Sequence, residues 1–132
     1  KLLVFDAHTW RPYCHVRDFA RLIQKVLETP RKLVTNQVFN AGGDANNYTK
    51  KMIVDEILKH LPDAKVAYQK HGSDPRNYRV NFKKVREVLG FEPIFTIKDG
   101  IIELLKAIDN HVFAQVDQHP NFYGNYKIDY LT

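Results

Sequence analysis

Three times along the chain a brief apolar run gives way to a stretch whose apolar residues recur every three or four positions. That alternation limits the fold more than any other feature of the sequence. Leu2 to Phe5 is the first run and predicts a strand entering a buried sheet. Asp6 to Pro12 reads as a loop. Val16, Phe19, Ala20, Ile23, Val26 and Leu27 then fall on one helical face. Asp18 stands in the first turn of that helix, where a carboxylate suits the helix dipole. Thr29-Pro30 ends it, because the residue before a proline avoids the α region.

Gln37 to Asn40 predicts a second strand, and Ala41-Gly42-Gly43-Asp44 a sharp turn after it, since glycine permits positive φ. Thr49 is a candidate N-cap for a helix with Ile53, Ile57 and Leu61 turned inward, and Leu61-Pro62-Asp63 closes that helix. Lys65 to Tyr68 predicts a third strand, and His71 to Pro75 a loop. Asn77 to Val80 reads as a short extended segment. Asn81 then caps a short helix carrying Phe82, Val85 and Leu89, which Gly90 terminates. Thr96 and Asp99 have capping-box spacing and open the longest helix, with Ile97, Ile101, Leu104, Leu105, Ile108 and Val112 expected inside. From Gln115 the periodicity fades into an aromatic, loop-like tail. The sum is a small α/β unit of about four helices and three or more short strands, too few for a full doubly wound sheet. Residues 1–114 are expected to form the domain and 115–132 a C-terminal tail.

Composition narrows what such a unit can be. At 132 residues, with 44% hydrophobic and 27% charged, it is long enough for one domain with its own core. One cysteine, Cys14, allows no internal disulfide, so nothing points to an oxidising compartment. No apolar run approaches the roughly 18 residues of a membrane span. A cytoplasmic location is therefore expected. The chain opens Lys1-Leu-Leu-Val-Phe5 with no initiator Met, as if entering in mid-strand, and a piece of a longer protein is expected. Twenty Lys and Arg against fifteen Asp and Glu give a net charge of +5, which favours anionic partners. The basic residues are scattered, with pairs only at Lys50-Lys51 and Lys83-Lys84, each expected on an exposed helix face. There is no basic stripe interleaved with aromatics and no zinc-finger or RNA-binding signature, so nucleic acid is not an expected partner.

Several short motifs do not carry chemistry. Gly42-Gly43 follows a strand but lacks both the dinucleotide and the P-loop glycine patterns, so a tight turn is the better reading. The six histidines show no H-x-x-x-H spacing and have no cysteine framework, so no metal site is expected. His15 reads as a hydrogen-bonded structural residue and Cys14 as a small core residue. Tyr123 and Lys127 match Y-x-x-x-K, but Gly124 and Asn125 between them resist a helix, so they are not taken as a catalytic pair.

Two segments are more informative: Trp10-Arg11-Pro12-Tyr13-Cys14-His15-Val16-Arg17-Asp18, and Ser73 to Lys84 with its Arg76, Tyr78 and Arg79. With their neighbours they resemble the C-terminal part of extended short-chain dehydrogenases, the NAD-dependent nucleotide-sugar epimerase/dehydratase family. The family's R-x-[FY]-x-H-V-x-D is matched by Arg11, Tyr13, His15, Val16 and Asp18. Its strand and turn [VI]-[FY]-N-x-G is matched by Val38, Phe39, Asn40 and Gly42. A later Asp, Tyr, Lys and L-G-[FW] are matched by Asp74, Tyr78, Lys84 and Leu89-Gly90-Phe91, with Asn81 in place of the usual capping Asp. Asp99-Gly100-Ile101 resembles the start of the family's last helix. The resemblance covers about residues 1 to 110 and leaves the tail unexplained.

What the resemblance implies is a division of labour. In such enzymes an N-terminal Rossmann part binds NAD or NADP and carries the catalytic groups, and the C-terminal part supplies much of the nucleotide-sugar pocket. Arg11 is then expected on the substrate diphosphate, where a planar guanidinium can bond two oxygens at once. The family's second phosphate arginine is replaced here by Lys70 and His71, so Lys70 and Arg76 become candidates, with Tyr78 beside them. No catalytic residue, metal or bound cofactor is expected in this chain, and alone it is expected to be inactive. The whole enzyme is expected to be a homodimer acting as an isomerase, lyase or oxidoreductase. The competing readings are a free-standing module that binds a phosphorylated ligand or a protein, and a basic nucleic-acid-binding domain.

Overall fold

The computed structural model describes residues 1–70 and 76–118. The predicted loop His71 to Pro75, with Asp74 of the family pattern, and the Tyr123/Lys127 pair lie outside the described residues. The chain divides into two compact units, Lys1–Ile101 and Ile102–Thr132.

In the first unit β1 (Leu2–Phe5) pairs in parallel with β4 (Val66–Gln69), Leu2 opposite Val66 and Phe5 opposite Gln69. Both were legible as apolar runs. A second, antiparallel pair joins β2 (Trp10–Pro12) to β3 (Asn47–Thr49). Neither was predicted, because three-residue strands with polar or proline residues carry no periodicity. The predicted strand Gln37 to Asn40 forms no ladder. Phe39 packs instead on the core, and the Asn40 side chain donates to the Asn81 carbonyl at 3.2 Å.

Helix α1 (Val16–Glu28) begins at His15 and stops at Thr29, as its sequence dictates. Its buried face shares only Val26 with the expected one. Asp18, Leu22 and Val26 turn toward the core, whereas Val16, Phe19, Ile23 and Leu27 are 75%, 48%, 50% and 80% exposed. The helix is apolar over a wide arc, and among the described residues the edge beside Phe82, Val85, Leu89 and Phe91 is the one that packs on the core. Burying a side chain such as Leu22 or Phe82 contributes about 1.5–3 kcal/mol. A one-turn helix, α2 (Arg31–Val34), follows.

Helix α3 (Lys50–Leu58) is capped by Thr49, whose Oγ1 accepts from the Met52 N–H at 3.1 Å. Val54 is its buried residue, in a cluster with Val4 and Ala7, while Leu61 is 45% exposed rather than inside. Helix α4 (Lys83–Leu89) has its Lys83 N–H bonded to the Asn81 side chain at 2.8 Å and ends at Gly90 with φ of 60°. Helix α5 (Ile97–Asp109) opens with the expected reciprocal box: Thr96 N–H donates to Asp99 and Asp99 N–H to Thr96 Oγ1. Ile101 is buried, but Leu104, Ile108 and Val112 are more than half exposed, against expectation. They fall in the second unit.

The Gly42-Gly43 turn is a packing feature. Gly42 has φ of 142°, and an added Cβ would lie 2.8 Å from the buried Phe82 ring. At Gly43 a Cβ would lie 2.9 Å from the Pro93 ring. Among the described residues no helix is long and apolar enough to cross a membrane.

Candidate functional site

Parallel strands leave a crevice beyond their carboxyl ends, where chains turn away and polar groups collect. Beyond β1 and β4 lies a cavity of about 600 Å³. Asp6, His8, Lys51, Tyr68, Lys70 and Asn77 are among the residues that line it. Asp6, at φ of 49°, turns the chain out of β1, and its N–H still donates to the Gln69 carbonyl at 2.9 Å. Lys51 enters from α3. Its N–H donates to the Ala7 carbonyl at 2.7 Å, and its ammonium is held by both oxygens of Asp55 at 2.7 and 2.8 Å. The bond to Asp55 holds the Lys51 pKa above the ordinary lysine value, so it stays charged. Nothing in the sequence marked Lys51 as a site residue, because a lysine in a first helical turn is ordinary.

The predicted residues divide around this cavity. Lys70 lines it, as does Asn77. Asn77 connects it to β2, since its Oδ1 accepts from the Trp10 N–H at 2.9 Å. Arg11 and Tyr78 meet just beyond that bond, with the guanidinium carbon 5.4 Å from the ring centroid. Arg11 Nη1 also donates to the Trp10 carbonyl at 2.7 Å. Arg76 is exposed beside Asn77 and is not among the residues lining the cavity.

The neighbouring motif residues are structural. His15 caps α1, its Nδ1 accepting from the Arg17 N–H at 3.2 Å, and stacks on Phe95 at 4.5 Å. Burial pushes the Cys14 thiol pKa up, and so does Asp18 nearby, which keeps it protonated. Burial also raises Tyr13, against a smaller opposing effect of Arg11. Among the described residues no cluster of His, Cys, Asp and Glu is arranged to hold a metal. The Gly42-Gly43 turn packs its backbone against the Phe82 and Pro93 rings.

Residues 1–42 match the sequence profile of the NAD dependent epimerase/dehydratase family. A dTDP-glucose 4,6-dehydratase from Streptomyces niveus is 31% identical over 111 residues, covering 76% of this chain and 30% of that relative. Among solved structures, the dTDP-glucose 4,6-dehydratase of Bacillus anthracis in complex with NAD superposes with a TM-score of 0.69 at 29% identity. That match covers 84% of this chain and 35% of the other. An ADP-L-glycero-D-manno-heptose-6-epimerase from Helicobacter pylori shares the fold, with a TM-score of 0.65 at 21% identity, covering 83% of this chain and 32% of that one. The chain thus spans about a third of the length of these relatives.

Proposed function

This chain is a member of the NAD-dependent epimerase/dehydratase family by sequence and fold, and from that premise we propose that it binds the nucleotide diphosphate of a sugar donor. Arg11 is the principal cation for the diphosphate, Lys70 and Arg76 are the secondary ones, and Tyr78 completes the site. The observation that carries this reading is the placement of Arg11. It is half-buried, fixed by the Trp10 carbonyl and the Tyr78 ring, and one hydrogen-bonded pair away from the cavity that Lys70 lines.

In the whole enzyme, hydride transfer from the sugar to NAD or NADP belongs to a separate dinucleotide-binding part, in keeping with the absence of the dinucleotide glycine pattern at Gly42-Gly43. The exposed apolar faces support this division. Leu2, Leu3 and Phe5 on β1 and the bare stripe of α1 are surfaces that a further layer of polypeptide would cover. The overall reaction is epimerisation, dehydration or reduction of the resulting keto sugar.

The test is a titration of the 132-residue chain with dTDP-glucose and UDP-glucose, followed by thermal shift and by amide NMR. Saturable shifts around Lys70, Asn77 and Arg11 are expected. Arg11→Ala should weaken binding about tenfold, the loss of one charge-assisted contact of about 1.5 kcal/mol. An unchanged affinity in that variant refutes the role of Arg11. NAD-dependent oxidation of either sugar nucleotide by this chain alone refutes the division of labour.

A further inference from the structure

The segment 77–80 runs beside β2, and the two exchange side chains as well as hydrogen bonds. Tyr78 N–H donates to the Trp10 carbonyl at 3.4 Å, and Trp10 N–H to the Asn77 side chain. The Arg11 guanidinium lies over the Tyr78 ring at 5.4 Å, and the Arg79 guanidinium over the Trp10 ring at 4.8 Å. Each segment therefore supplies one cation and one aromatic ring, in reciprocal pairs. Adjacent residues of an extended chain point to opposite faces, so the Arg11–Tyr78 pair occupies one face of β2 and the Trp10–Arg79 pair the other.

Stacking uses the face of a guanidinium, whereas a phosphate is bound through its N–H edge. The two contacts are compatible, and the first prepares the second. A long arginine side chain loses much rotamer entropy when it closes on a ligand, and holding it beforehand removes that cost. The Tyr78 ring, its centroid 5.4 Å from the guanidinium carbon, and the Nη1 bond to the Trp10 carbonyl together restrict where the Arg11 guanidinium can lie.

We propose that Tyr78 is a positioning residue for Arg11, acting on the ligand through the orientation of that guanidinium and not by touching the ligand itself. The affinity part of this proposal rests on the reading that Arg11 binds a diphosphate. The Trp10–Arg79 pair makes the role separable from folding, because it retains the seam on the opposite face when Tyr78 is changed.

The experiment is a double-mutant cycle on the 132-residue chain, with dTDP and inorganic pyrophosphate as probes. The ligand-free Arg11 Nε–Hε resonance is recorded in parallel. Tyr78→Leu should weaken both probes about threefold when Arg11 is present, the expected size of an exposed cation–π contact. It should have no further effect in the Arg11→Ala background. The Arg11 resonance should lose its ring-current shift in Tyr78→Leu, and Tyr78→Phe should restore both affinity and shift. An equal loss in the Arg11→Ala background overturns the proposal, because Tyr78 would then contact the ligand directly. An unmoved resonance or an unchanged affinity in Tyr78→Leu also overturns it. If the wild-type chain binds neither probe, the diphosphate reading fails and the affinity part falls with it. The Nε–Hε shift then still decides whether Tyr78 orients Arg11.

Discussion

Asp18 shows how much one side chain can decide. Its carboxylate is fully buried and joins parts of the chain 76 residues apart. Oδ1 accepts from Arg21 at 2.6 Å and from the Ile94 N–H at 3.1 Å, and Oδ2 accepts from the Phe95 N–H at 2.9 Å. In the sequence it was legible as an acid in the first turn of a helix and as the last residue of the Arg11–Asp18 motif, not as a core closure. Asp18→Ala strands two backbone N–H groups and should cost about 3 kcal/mol in urea-induced unfolding, from penalties of about 1–3 kcal/mol per unsatisfied group. Asp18→Asn retains one acceptor oxygen and should cost less. Arg21→Ala should cost least, because that guanidinium is 42% exposed and screened by water. At the same scale Arg11 and Tyr78 were each legible from a motif, but their contact was not. A contact between residues 11 and 78 depends on how two extended segments are laid side by side.

Among the elements, those that end in a local device were the legible ones. Thr49, Asn81, Gly90 and the Thr96/Asp99 box act within five residues of themselves, so their sequence spacing is their geometry. β2 and β3 have no such local signature. Their pairing is completed from a distance, for example by the Asn47 side chain, which both donates to and accepts from the Val80 backbone.

The devices that use carboxylates have a pH signature. Asp99 is held below its ordinary pKa of 3.8 mainly by the Thr96 hydroxyl, and Asp44 mainly by the Arg86 side chain and the Phe82 N–H. Both folded values are lowered, so the stabilisation is fully present above 3.8. It is lost as pH falls through the depressed folded values. Thermal unfolding followed across that range should show an acid limb that is shallower in Asp44→Asn and in Asp99→Asn. An identical limb in both variants refutes the assignment. Both groups are exposed, so the change is small.

On the scale of the whole molecule, the distribution of apolar surface stands out. The core is built by Phe82, Val85, Leu89 and Phe91 from the second half of the first unit, closing on Leu22 and Val26 of α1. The stripe Val16, Phe19, Ile23 and Leu27 lies outside that core. Leu22→Ala should therefore cost about 2–5 kcal/mol, whereas Phe19→Ser and Ile23→Ser should each change the unfolding free energy by less than about 0.5 kcal/mol. The same two surface variants should lower self-association in light scattering, since they shrink an exposed apolar patch. A large loss of stability in Phe19→Ser refutes this assignment of faces.

Legible in the sequence alone were the α/β class, four of the five α-helices, the strands β1 and β4, and the family to which the chain is related, whereas the one-turn α2 was not. Each of these is written in local spacing, in periods of two or of three to four residues, or in a motif of contiguous chemistry. Only the tertiary structure decided which face of α1 is buried and that Asp18 closes the core. It alone showed that β2 pairs with β3 and that Arg11 lies on Tyr78 beside a cavity shared by Lys51 and Lys70. Those outcomes depend on which surfaces meet across tens of residues, and an amphipathic pattern specifies that a face can be buried without specifying the partner that buries it.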